Sequence, residues 1–465
     1  MLTSNKQIDQ PIIIIGAGPI GLATAAHLAI RKKSFLILEA SQHIAASLQD
    51  WRHVKLFSPW RFNMDTAAKS LLMEGGWEPP HDDDHPTAGD MINLYLKPLS
   101  EVPVIAKALR LGHEVLSIAR IDFDKVRHGQ RCGSPFTVRV RTSLGVEKEL
   151  SATVVIDASG TWEHPNPLGA NGLAAIGEDQ LSAYIHYGIP DVLERNRKLF
   201  SGMRVAVVGS GHSAANSLIA LAELAKHSPE TEIKWLLRGN NMQRVFGGQL
   251  NDKLPARGQL GEDVRKLVED KQLEVMTDFR IHALTKTSTG ILLEATDATG
   301  SPVILEVDRI IAATGQRPQL NMLRELQLDL DWNLECVKTL APMIDPNFHS
   351  CGTVPPHGIK ELEQPESGFY IVGSKSYGRA PSFLLATGYE QVRSVVAYLD
   401  GDLNSAYQVE LILPETGVCS SNENENSGAC CAPIKKNSHA NDGSCGEGSC
   451  NTEKQSEPQK VSSCC

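Results

Sequence analysis

A glycine-rich stretch near the start of this chain has the spacing that lets a backbone approach a diphosphate. It reads GAGPIG at residues 16–21, after the apolar run IIII and before a stretch of small residues that favours a helix. The first glycine permits a tight turn, the second lets the pyrophosphate come close, and the third lets the helix pack on the strand. The helix N-terminus then offers free N–H groups and a favourable dipole to the diphosphate.

An acidic residue completes this first pattern. The apolar run FLIL at residues 35–38 ends in Glu39, about 20 residues after the glycines, where a carboxylate accepts hydrogen bonds from a ribose diol. The alternative interpretation is a membrane span or signal sequence over residues 11–30, which the glycines, the proline and His27 within the run disfavour. The predicted nucleotide contacts are Gly16, Gly18, Pro19, Gly21 and Glu39.

The pattern recurs in the middle of the chain with a different ending. After the run RVAVV, residues 209–214 read GSGHSA, with alanine at the third glycine position. The next apolar run ends in Arg238 in place of an acid. A guanidinium suits a 2′-phosphate, which an acid would repel, so NADPH is preferred over NADH; an ordinary surface arginine is the alternative. The predicted contacts are Gly209, Gly211, Ser213, Ala214 and Arg238.

Three further strand ends carry small residues. The runs VVIDASG, RIIAATG and FYIVGSK place Gly160, Gly315 and Gly373 directly after predicted buried strands. Small residues there let the chain pass close to a cofactor or to a neighbouring backbone. A helix is predicted from about Ser382, and its first N–H groups could face the second half of a cofactor.

Other segments predict the elements that must position these residues. Alternating apolar and polar residues over 113–156 predict a β-meander that returns to a parallel sheet. Residues 87–99 predict a helix, whose inward residues are Met91, Leu94, Tyr95 and Leu99. The sequence HDDDH at residues 81–85 is flanked by prolines and is interpreted as a solvated loop, with a hard-metal site as the alternative.

Composition limits the class of protein. At 465 residues the chain exceeds one compact core, so two or three domains are expected. A net charge of −10 argues against nucleic acid or an anionic membrane as partner. Seven of the ten cysteines follow residue 400, in a tail rich in Asn, Ser and Gly that is predicted to be disordered. With no signal peptide recognised, the expected compartment is the reducing cytoplasm.

The order of these motifs resembles that of flavoproteins with two dinucleotide-binding domains. The resemblance implies an α/β fold with two Rossmann-like domains, FAD in the first and NADPH in an inserted second one. The implied bounds are 1–195 and 305–405 for the FAD-binding domain, 196–304 for the NADPH-binding domain and 406–465 for the Cys-rich tail. No Cys-x-x-Cys precedes residue 400, so the redox dithiol of the thioredoxin reductase-like branch is missing.

Within that superfamily the chain is similar to flavin-containing and Baeyer–Villiger-type monooxygenases. VVGSGHSA resembles their NADPH site, and ASGTWEHPNP resembles their strand end and crossover. By that resemblance, His186 stands near a fingerprint histidine, and Ser58 and Asn63 stand near a flavin-side asparagine. These three are the candidate catalytic residues; for His186, a satisfied structural histidine is the alternative.

Two segments, HVKLFSPWRFNMD and YGRAPSFLLATGYEQVRS, look like monooxygenases that are encoded beside arsenic-resistance genes. Trivalent arsenic and soft metals prefer thiolates, and the tail carries adjacent cysteine pairs. A metalloid or soft-metal site is therefore predicted in the tail, with incidental cysteines in a terminal extension as the alternative. The predicted ligands are Cys430, Cys431, Cys464 and Cys465.

Three functions remain open at this point. The first is an NADPH-dependent FAD monooxygenase that inserts one oxygen atom from O2 into a small substrate, with sulfur, nitrogen or trivalent arsenic as acceptor. The second is an NADPH-dependent flavin reductase that passes electrons to a small acceptor or to a thiol-bound metal or metalloid. The third is a thiol metal-binding protein with a regulatory flavin core. The sequence does not indicate the substrate or the oligomeric state.

Overall fold

The structure is a computed structural model, and it describes residues 10–127, 129–240, 242, 246, 254–347 and 354–411. The chain divides into a unit over Met1–Ser420 and a unit over Ser421–Cys465, and every described residue belongs to the first. The predicted disorder of the tail and its four predicted thiol ligands therefore lie outside the described residues.

The strands fall into four sheets. In chain order they are β1 (Ile12–Ile15), β2 (Phe35–Leu38), β3 (Leu109–Arg110), β4 (His113–Arg120), β5 (Phe136–Thr142), β6 (Glu147–Ala152), β7 (Val154–Asp157), β8 (Ile185–Tyr187), β9 (Arg204–Val208), β10 (Glu232–Leu236), β11 (Glu274–Met276), β12 (Arg280–Lys286), β13 (Ile291–Thr296), β14 (Pro302–Val307), β15 (Arg309–Ala312) and β16 (Phe369–Ile371).

Helices cover the sheets and form the connections. The α-helices of the described part are Pro19–Ile30, Ala46–Asp50, Trp60–Asn63, Thr66–Glu74, Ala88–Asp90, Lys97–Glu101, Pro103–Ala108, Arg197–Phe200, His212–His227, Pro255–Glu269, Ala341–Ile344, Ile359–Leu362, Leu385–Leu399 and Leu403–Tyr407. A π-helix spans Met91–Leu96, and 3-10 helices span Gln130–Gly133, Asp179–Tyr184, Asn321–Leu323 and Gly373–Tyr377.

The first sheet is parallel and has the order β16-β7-β1-β2-β3. All four isoleucines of β1 are buried, as expected of a central strand that is covered on both faces. The helix Pro19–Ile30 follows the glycine turn and packs closely beside it. A Cβ at Gly21 would lie 1.9 Å from the carbonyl oxygen of Gly16, so only glycine fits at the third position.

The second sheet is also parallel and has the order β11-β10-β9-β15-β8. It surrounds the second glycine motif, so the α/β fold with two Rossmann-like sheets is confirmed. Two of its strands, β8 and β15, lie outside residues 196–304. Both strands lie at the same edge of the sheet, and they come from chain segments before residue 196 and after residue 304. An apolar run by itself does not reveal which sheet it will join.

Two smaller antiparallel sheets complete the described part. Strands β4, β5 and β6 form the predicted meander, and the chain then enters the first sheet at β7. Strands β12, β13 and β14 form a second meander, which lies in the chain between β11 and β15 of the second sheet. Its inner face contributes Ile281, Leu284, Ile291 and Leu293 to a buried cluster.

Two helix predictions need correction in detail. Residues 88–101 are helical, but the turn Met91–Leu96 is a π-helix. Tyr95 is buried as predicted, as are Met91 and Leu99, whereas Leu94 is 47% exposed. Because the π-helix has wider turns than an α-helix, the inward face shifts and Leu94 faces outward. The helix predicted from about Ser382 begins later, at Leu385.

Residues 11–30 do not form a membrane span. They contribute β1, the glycine turn and a 12-residue helix to the first sheet and its covering layer. Over the described ranges, no helix is long and apolar enough to cross a membrane.

Candidate functional site

The first glycine turn has the geometry that a diphosphate site requires. Gly16 has φ +96°, and a Cβ there would lie 2.9 Å from the carbonyl oxygen of Ala158, so a side chain is excluded. Nothing lies within 4 Å of the Cβ position of Gly18. The helix begins after Gly18 without a side-chain cap, and Pro19 stands at its first position. This end of the helix therefore presents backbone N–H groups to an anion.

Glu39 lies beside that turn, as the ribose-binding prediction requires. Its Oε2 accepts a hydrogen bond from the Ala17 N–H at 2.7 Å, and its Oε1 accepts one from the Ser41 N–H at 2.9 Å. Burial raises the pKa of the Glu39 carboxyl, and the two N–H donors oppose that shift. The carboxylate is thus held at the end of β2 with lone pairs left to accept further hydrogen bonds.

Two more glycines complete the carboxyl edge of the first sheet. Gly160 follows β7 with φ +74°, and Gly373 follows β16 with φ +70°. A Cβ at Gly373 would lie 3.1 Å from the Ile20 side chain, and one at Gly160 would lie 3.5 Å from Ser374 Oγ. With Gly16 after β1, three adjacent strands end in left-handed glycine turns, which side chains rarely adopt. These residues fit an extended dinucleotide.

The second glycine turn repeats this geometry. Gly209 has φ +134°, and a Cβ there would lie 2.1 Å from the Ala313 carbonyl oxygen. The helix His212–His227 begins after Gly211 without a side-chain cap, and nothing lies within 4 Å of the Gly211 Cβ position. Ser213 lies in its first turn and Ala214 is buried. The residues present thus fit a second diphosphate.

Arg238 lies two residues beyond β10 and is exposed. Its Nη1 donates to the Ala170 carbonyl at 3.3 Å, and this long hydrogen bond leaves guanidinium donors for a phosphate. The placement at the end of the second strand of a Rossmann unit is the one that selects the 2′-phosphate.

Gly315 has φ +83° and is held against the crossover loop. Asn166 N–H donates to the Gly315 carbonyl at 2.8 Å, and Asn166 Nδ2 donates to the Thr314 carbonyl at 3.1 Å. A Cβ at Gly315 would lie 3.3 Å from that amide. Of the two interpretations of this strand end, the structure shows the close approach of a neighbouring backbone; a cofactor contact stays a prediction.

Ser58 and Asn63 lie together, and the amide of Asn63 is hydrogen-bonded within its own chain segment. Ser58 Oγ donates to Asn63 Oδ1 at 2.8 Å, and Asn63 Nδ2 donates to the carbonyls of Ser58 at 2.7 Å and Pro59 at 3.1 Å. Asn63 is 1% exposed. These bonds give its amide a structural function in holding the loop, and its catalytic assignment stays a prediction.

His186 lies elsewhere, on β8 at the edge of the second sheet. It makes neither a hydrogen bond nor an ion pair with Ser58 or Asn63 in the described part of the chain. Burial lowers the pKa of His186, and the positive charge of Arg195 lowers it further, against an opposing effect of Asp50. The imidazole is therefore neutral at neutral pH, which suits both the structural and the catalytic interpretation.

A small cleft lies between the segment at Ser58, Leu254 and the start of the helix Leu385–Leu399. Its lining residues are Ser58, Phe62, Leu254, Leu384, Leu385 and Ala386. The helix Leu385–Leu399 begins at this cleft without a side-chain cap, so its first N–H groups are available there. The walls are otherwise apolar.

Sequence reasoning missed the contact that joins this cleft to the second glycine turn. The Phe57 ring lies 5.3 Å from the His212 ring, and the Arg257 guanidinium lies 6.0 Å from the Phe57 centroid. His212 directly follows Gly211, so the loop of the first half reaches the start of the second dinucleotide helix. In the sequence, the one signal of this contact is the aromatic residue Phe57 in the run KLFSP.

The HDDDH stretch packs against the same loop. Trp60 N–H donates to the Asp84 carbonyl at 2.9 Å, and Arg61 N–H donates to the Asp82 carbonyl at 3.0 Å. The Arg61 side chain also pairs with Asp83. Among the residues that the structure describes, no group of three or more side chains could hold a metal ion. The stretch thus supports the helix Trp60–Asn63.

Two parallel sheets, each built around a glycine turn, define an oxidoreductase that uses two dinucleotides. The chain belongs to the pyridine nucleotide-disulphide oxidoreductase family, whose model matches residues 13–340. The family and the two fitted sites together show that it is an FAD-dependent enzyme that uses NADP(H).

Similar proteins include both reductases and a monooxygenase. A ferredoxin–NADP reductase from Neorickettsia sennetsu is 23% identical over 273 residues, which are 58% of this chain and 67% of the relative. The bacillithiol disulfide reductase Bdr (YpdA) from Bacillus cereus has a TM-score of 0.62 at 16% identity, over 84% of this chain and 99% of that one. The cadaverine monooxygenase DfoA from Erwinia amylovora, bound to FAD, has a TM-score of 0.60 at 13% identity, over 88% and 99%. At these identities the structures share the fold alone.

Proposed function

We propose that this chain is an NADPH-dependent FAD monooxygenase. The first glycine turn and Glu39 hold FAD, and the second glycine turn and Arg238 hold NADPH. The net reaction converts substrate, O2, NADPH and a proton into oxygenated substrate, NADP+ and water. The observation that carries the proposal is the apolar cleft between the loop at Ser58 and the start of the helix Leu385–Leu399, because oxygen transfer needs a site from which water is excluded.

The chain contributes binding, orientation and exclusion of water. The chemistry that FAD supplies when bound is hydride acceptance from NADPH and reductive activation of O2. Phe62, Leu384 and Leu385 line the cleft with apolar surface, and in this proposal that surface keeps bulk water from the reacting atoms. The uncapped start of the helix offers N–H groups to negative charge that develops there.

The character of the cleft suggests the class of acceptor. Its apolar walls suit an uncharged, polarisable atom, such as a thioether sulfur or trivalent arsenic, better than a cationic amine. The resemblance of the segments around Ser58 and Ser382 to monooxygenases associated with arsenic resistance supports the same choice. We therefore propose a small soft-heteroatom compound as substrate.

The chemistry of the Cys336 thiol also favours oxygen as the acceptor. Burial raises the pKa of the Cys336 thiol to about 12, so this thiol is protonated at neutral pH and is a poor nucleophile. No Cys-x-x-Cys stands before residue 400 to receive electrons from the flavin.

The test is the stoichiometry of turnover with purified FAD-loaded protein. NADPH oxidation, O2 uptake and oxygenated product are measured together with a thioether and with arsenite. A monooxygenase gives one product per NADPH and per O2 with one of these substrates. Complete release of the consumed O2 as hydrogen peroxide, with every substrate tried, would contradict the proposal.

A flavin reductase is the second candidate, favoured by the similarity to proteins named ferredoxin–NADP reductase and bacillithiol disulfide reductase. In that case electrons from NADPH pass to an added acceptor without O2. Anaerobic turnover with ferricyanide or a low-molecular-weight disulfide, faster than aerobic turnover with any heteroatom substrate, would favour this second function.

A further inference from the structure

A completely buried ion pair lies behind the glycine turns of the first dinucleotide site. Lys375 Nζ lies 2.7 Å from Asp157 Oδ2, and both side chains have 0% exposure. Lys375 Nζ also donates to Ser159 Oγ at 3.0 Å. Removing two charges from water is costly, and such a pair is often no more stable than apolar residues of the same volume. Its presence at this position therefore calls for a reason other than stability.

The pair joins two neighbouring strand ends. Asp157 is the last residue of β7, and Lys375 lies in the 3-10 turn Gly373–Tyr377 that follows β16. Strands β16, β7 and β1 are adjacent in the first sheet. The pair thus connects the segments that carry Gly160 and Gly373.

Ser159 extends the connection to the third glycine turn. Both its N–H, at 3.1 Å, and its hydroxyl, at 2.7 Å, donate to Asp157 Oδ1, while its hydroxyl oxygen accepts from Lys375. A Cβ at Gly16 would lie 3.0 Å from Ser159 Cα. A movement of Ser159 therefore displaces the backbone on which the Gly16 turn rests.

Gln391, from the helix Leu385–Leu399, also holds the turn at Gly373 in place. Gln391 Oε1 accepts from the Gly373 N–H at 2.7 Å, and Gln391 Nε2 donates to Ser376 Oγ at 2.9 Å. On the side of β7, the Val372 N–H donates to the Asp157 carbonyl at 3.0 Å, and Lys375 adds the side-chain link between the turn and that strand end.

We propose that Lys375 and Asp157 are positioning residues for FAD, which hold the turns at Gly16, Gly160 and Gly373 in the arrangement that takes the cofactor. Neither side chain reaches the surface, so neither touches FAD; both act through Ser159 and the two turns. The inference rests on FAD occupying the first site, and it is independent of whether the enzyme is a monooxygenase or a reductase.

The test compares FAD affinity with NADP+ affinity in single variants. Apo-protein is prepared and titrated with FAD by flavin fluorescence, and NADP+ binding and unfolding temperature are measured on the same samples. Lys375→Met and Asp157→Asn are expected to raise the Kd for FAD about tenfold or more, about 1.4 kcal/mol, with the Kd for NADP+ changed by less than about twofold. The visible circular dichroism of the bound flavin is expected to change as well.

Two further variants keep the test decisive. Ser159→Ala retains the ion pair and removes only the hydroxyl that bonds to Asp157 and Lys375. We expect this variant to fold even if the charge variants do not. It should weaken FAD binding by about threefold. Glu366→Gln is the matched control, because Glu366 is buried and paired with Arg120 at 2.7 Å beside the β-meander. It is expected to lower the unfolding temperature and leave FAD affinity unchanged.

Two outcomes would overturn the proposal. One is unchanged FAD affinity in folded Ser159→Ala together with any folded charge variant. The other is an equal loss of FAD affinity in Glu366→Gln, which would show that any buried ion pair has this effect through global stability.

Discussion

The Tyr389 hydroxyl donates a hydrogen bond to the main-chain carbonyl of Asn63 at 2.8 Å, and so ties the two walls of the cleft together. Tyr389 belongs to the helix whose start lines the cleft, and Asn63 ends the short helix Trp60–Asn63 that follows Ser58. The Tyr95 hydroxyl is buried behind the same segment, where it accepts a hydrogen bond from the Asp65 N–H at 2.9 Å. The bond from Tyr389 to Asn63 thus fixes the distance between the two walls of the cleft.

Tyr389→Phe should loosen the cleft. The Asn63 carbonyl would lose its buried donor, and the expected cost is about 1–3 kcal/mol in the free energy of unfolding, measured by urea titration. If the cleft excludes water for oxygen transfer, the fraction of NADPH converted to oxygenated product should fall and peroxide release should rise. Tyr407→Phe is the control, since Tyr407 is 58% exposed; an equal effect of that variant would contradict the assignment.

Gly18→Ala should separate folding from cofactor binding. The Cβ position of Gly18 has nothing within 4 Å, and its φ of −78° suits alanine. The variant should therefore fold like the parent protein. It should nevertheless lose FAD, because the methyl group occupies the space through which the pyrophosphate approaches the backbone.

Gly133→Ala is the control for Gly18→Ala. The Cβ position of Gly133 also has nothing within 4 Å, and this residue is far in sequence from both glycine motifs. Flavin content is measured after purification, together with the unfolding temperature of the FAD-free protein. Full flavin content in Gly18→Ala would contradict the placement of the pyrophosphate.

Arg238→Ala tests the second site. Loss of the guanidinium removes the phosphate contact but no ribose contact, so KM for NADPH should rise about tenfold or more, about 1.4 kcal/mol, while KM for NADH changes little. Arg280→Ala, which removes another exposed arginine, should leave both constants unchanged. Equal effects of Arg238→Ala on the two coenzymes would exclude this residue as the 2′-phosphate contact.

The local parts of the site could be predicted from the sequence, and the long-range parts could not. The glycine turns and Glu39 depend on residues within one strand–helix–strand unit, where spacing alone determines geometry. Lys375 and Ser159 are 216 residues apart, and no periodicity shows that their strand ends are neighbours. The outward position of Leu94 depends on a π-turn that the apolar pattern does not reveal.

Acid should weaken the fold through His357. Gln391 Oε1 is engaged by the Gly373 N–H, so Gln391 Nε2 faces His357 Nε2 at 2.9 Å, which must then accept and be unprotonated. Burial lowers the pKa of His357 below its usual value of 6.5. The unfolded chain therefore binds the proton more readily than the folded one, and stability is lost as pH falls from about 6.5 toward the lowered pKa, by up to about 1.4 kcal/mol per pH unit.

A His357→Gln variant should show a smaller loss of unfolding free energy between pH 7.5 and pH 5.5 than the parent protein, both followed by urea titration. His53 and His186 also have lowered pKa values, so part of the acid sensitivity should persist. An unchanged pH dependence in the variant would show that His357 is not a contributor.

The cysteine pairs of the tail are a separate test, because the described residues end before them. Replacing Cys430, Cys431, Cys464 and Cys465 by serine should abolish binding of arsenite or another thiophilic ion, if two adjacent thiol pairs close around one centre. NADPH turnover with a thioether should remain, since the dinucleotide sites lie within residues 10–411. Retained arsenite binding in the fourfold variant would exclude these ligands. Loss of all turnover would instead indicate that tail thiols receive electrons from the flavin, and would favour the reductase.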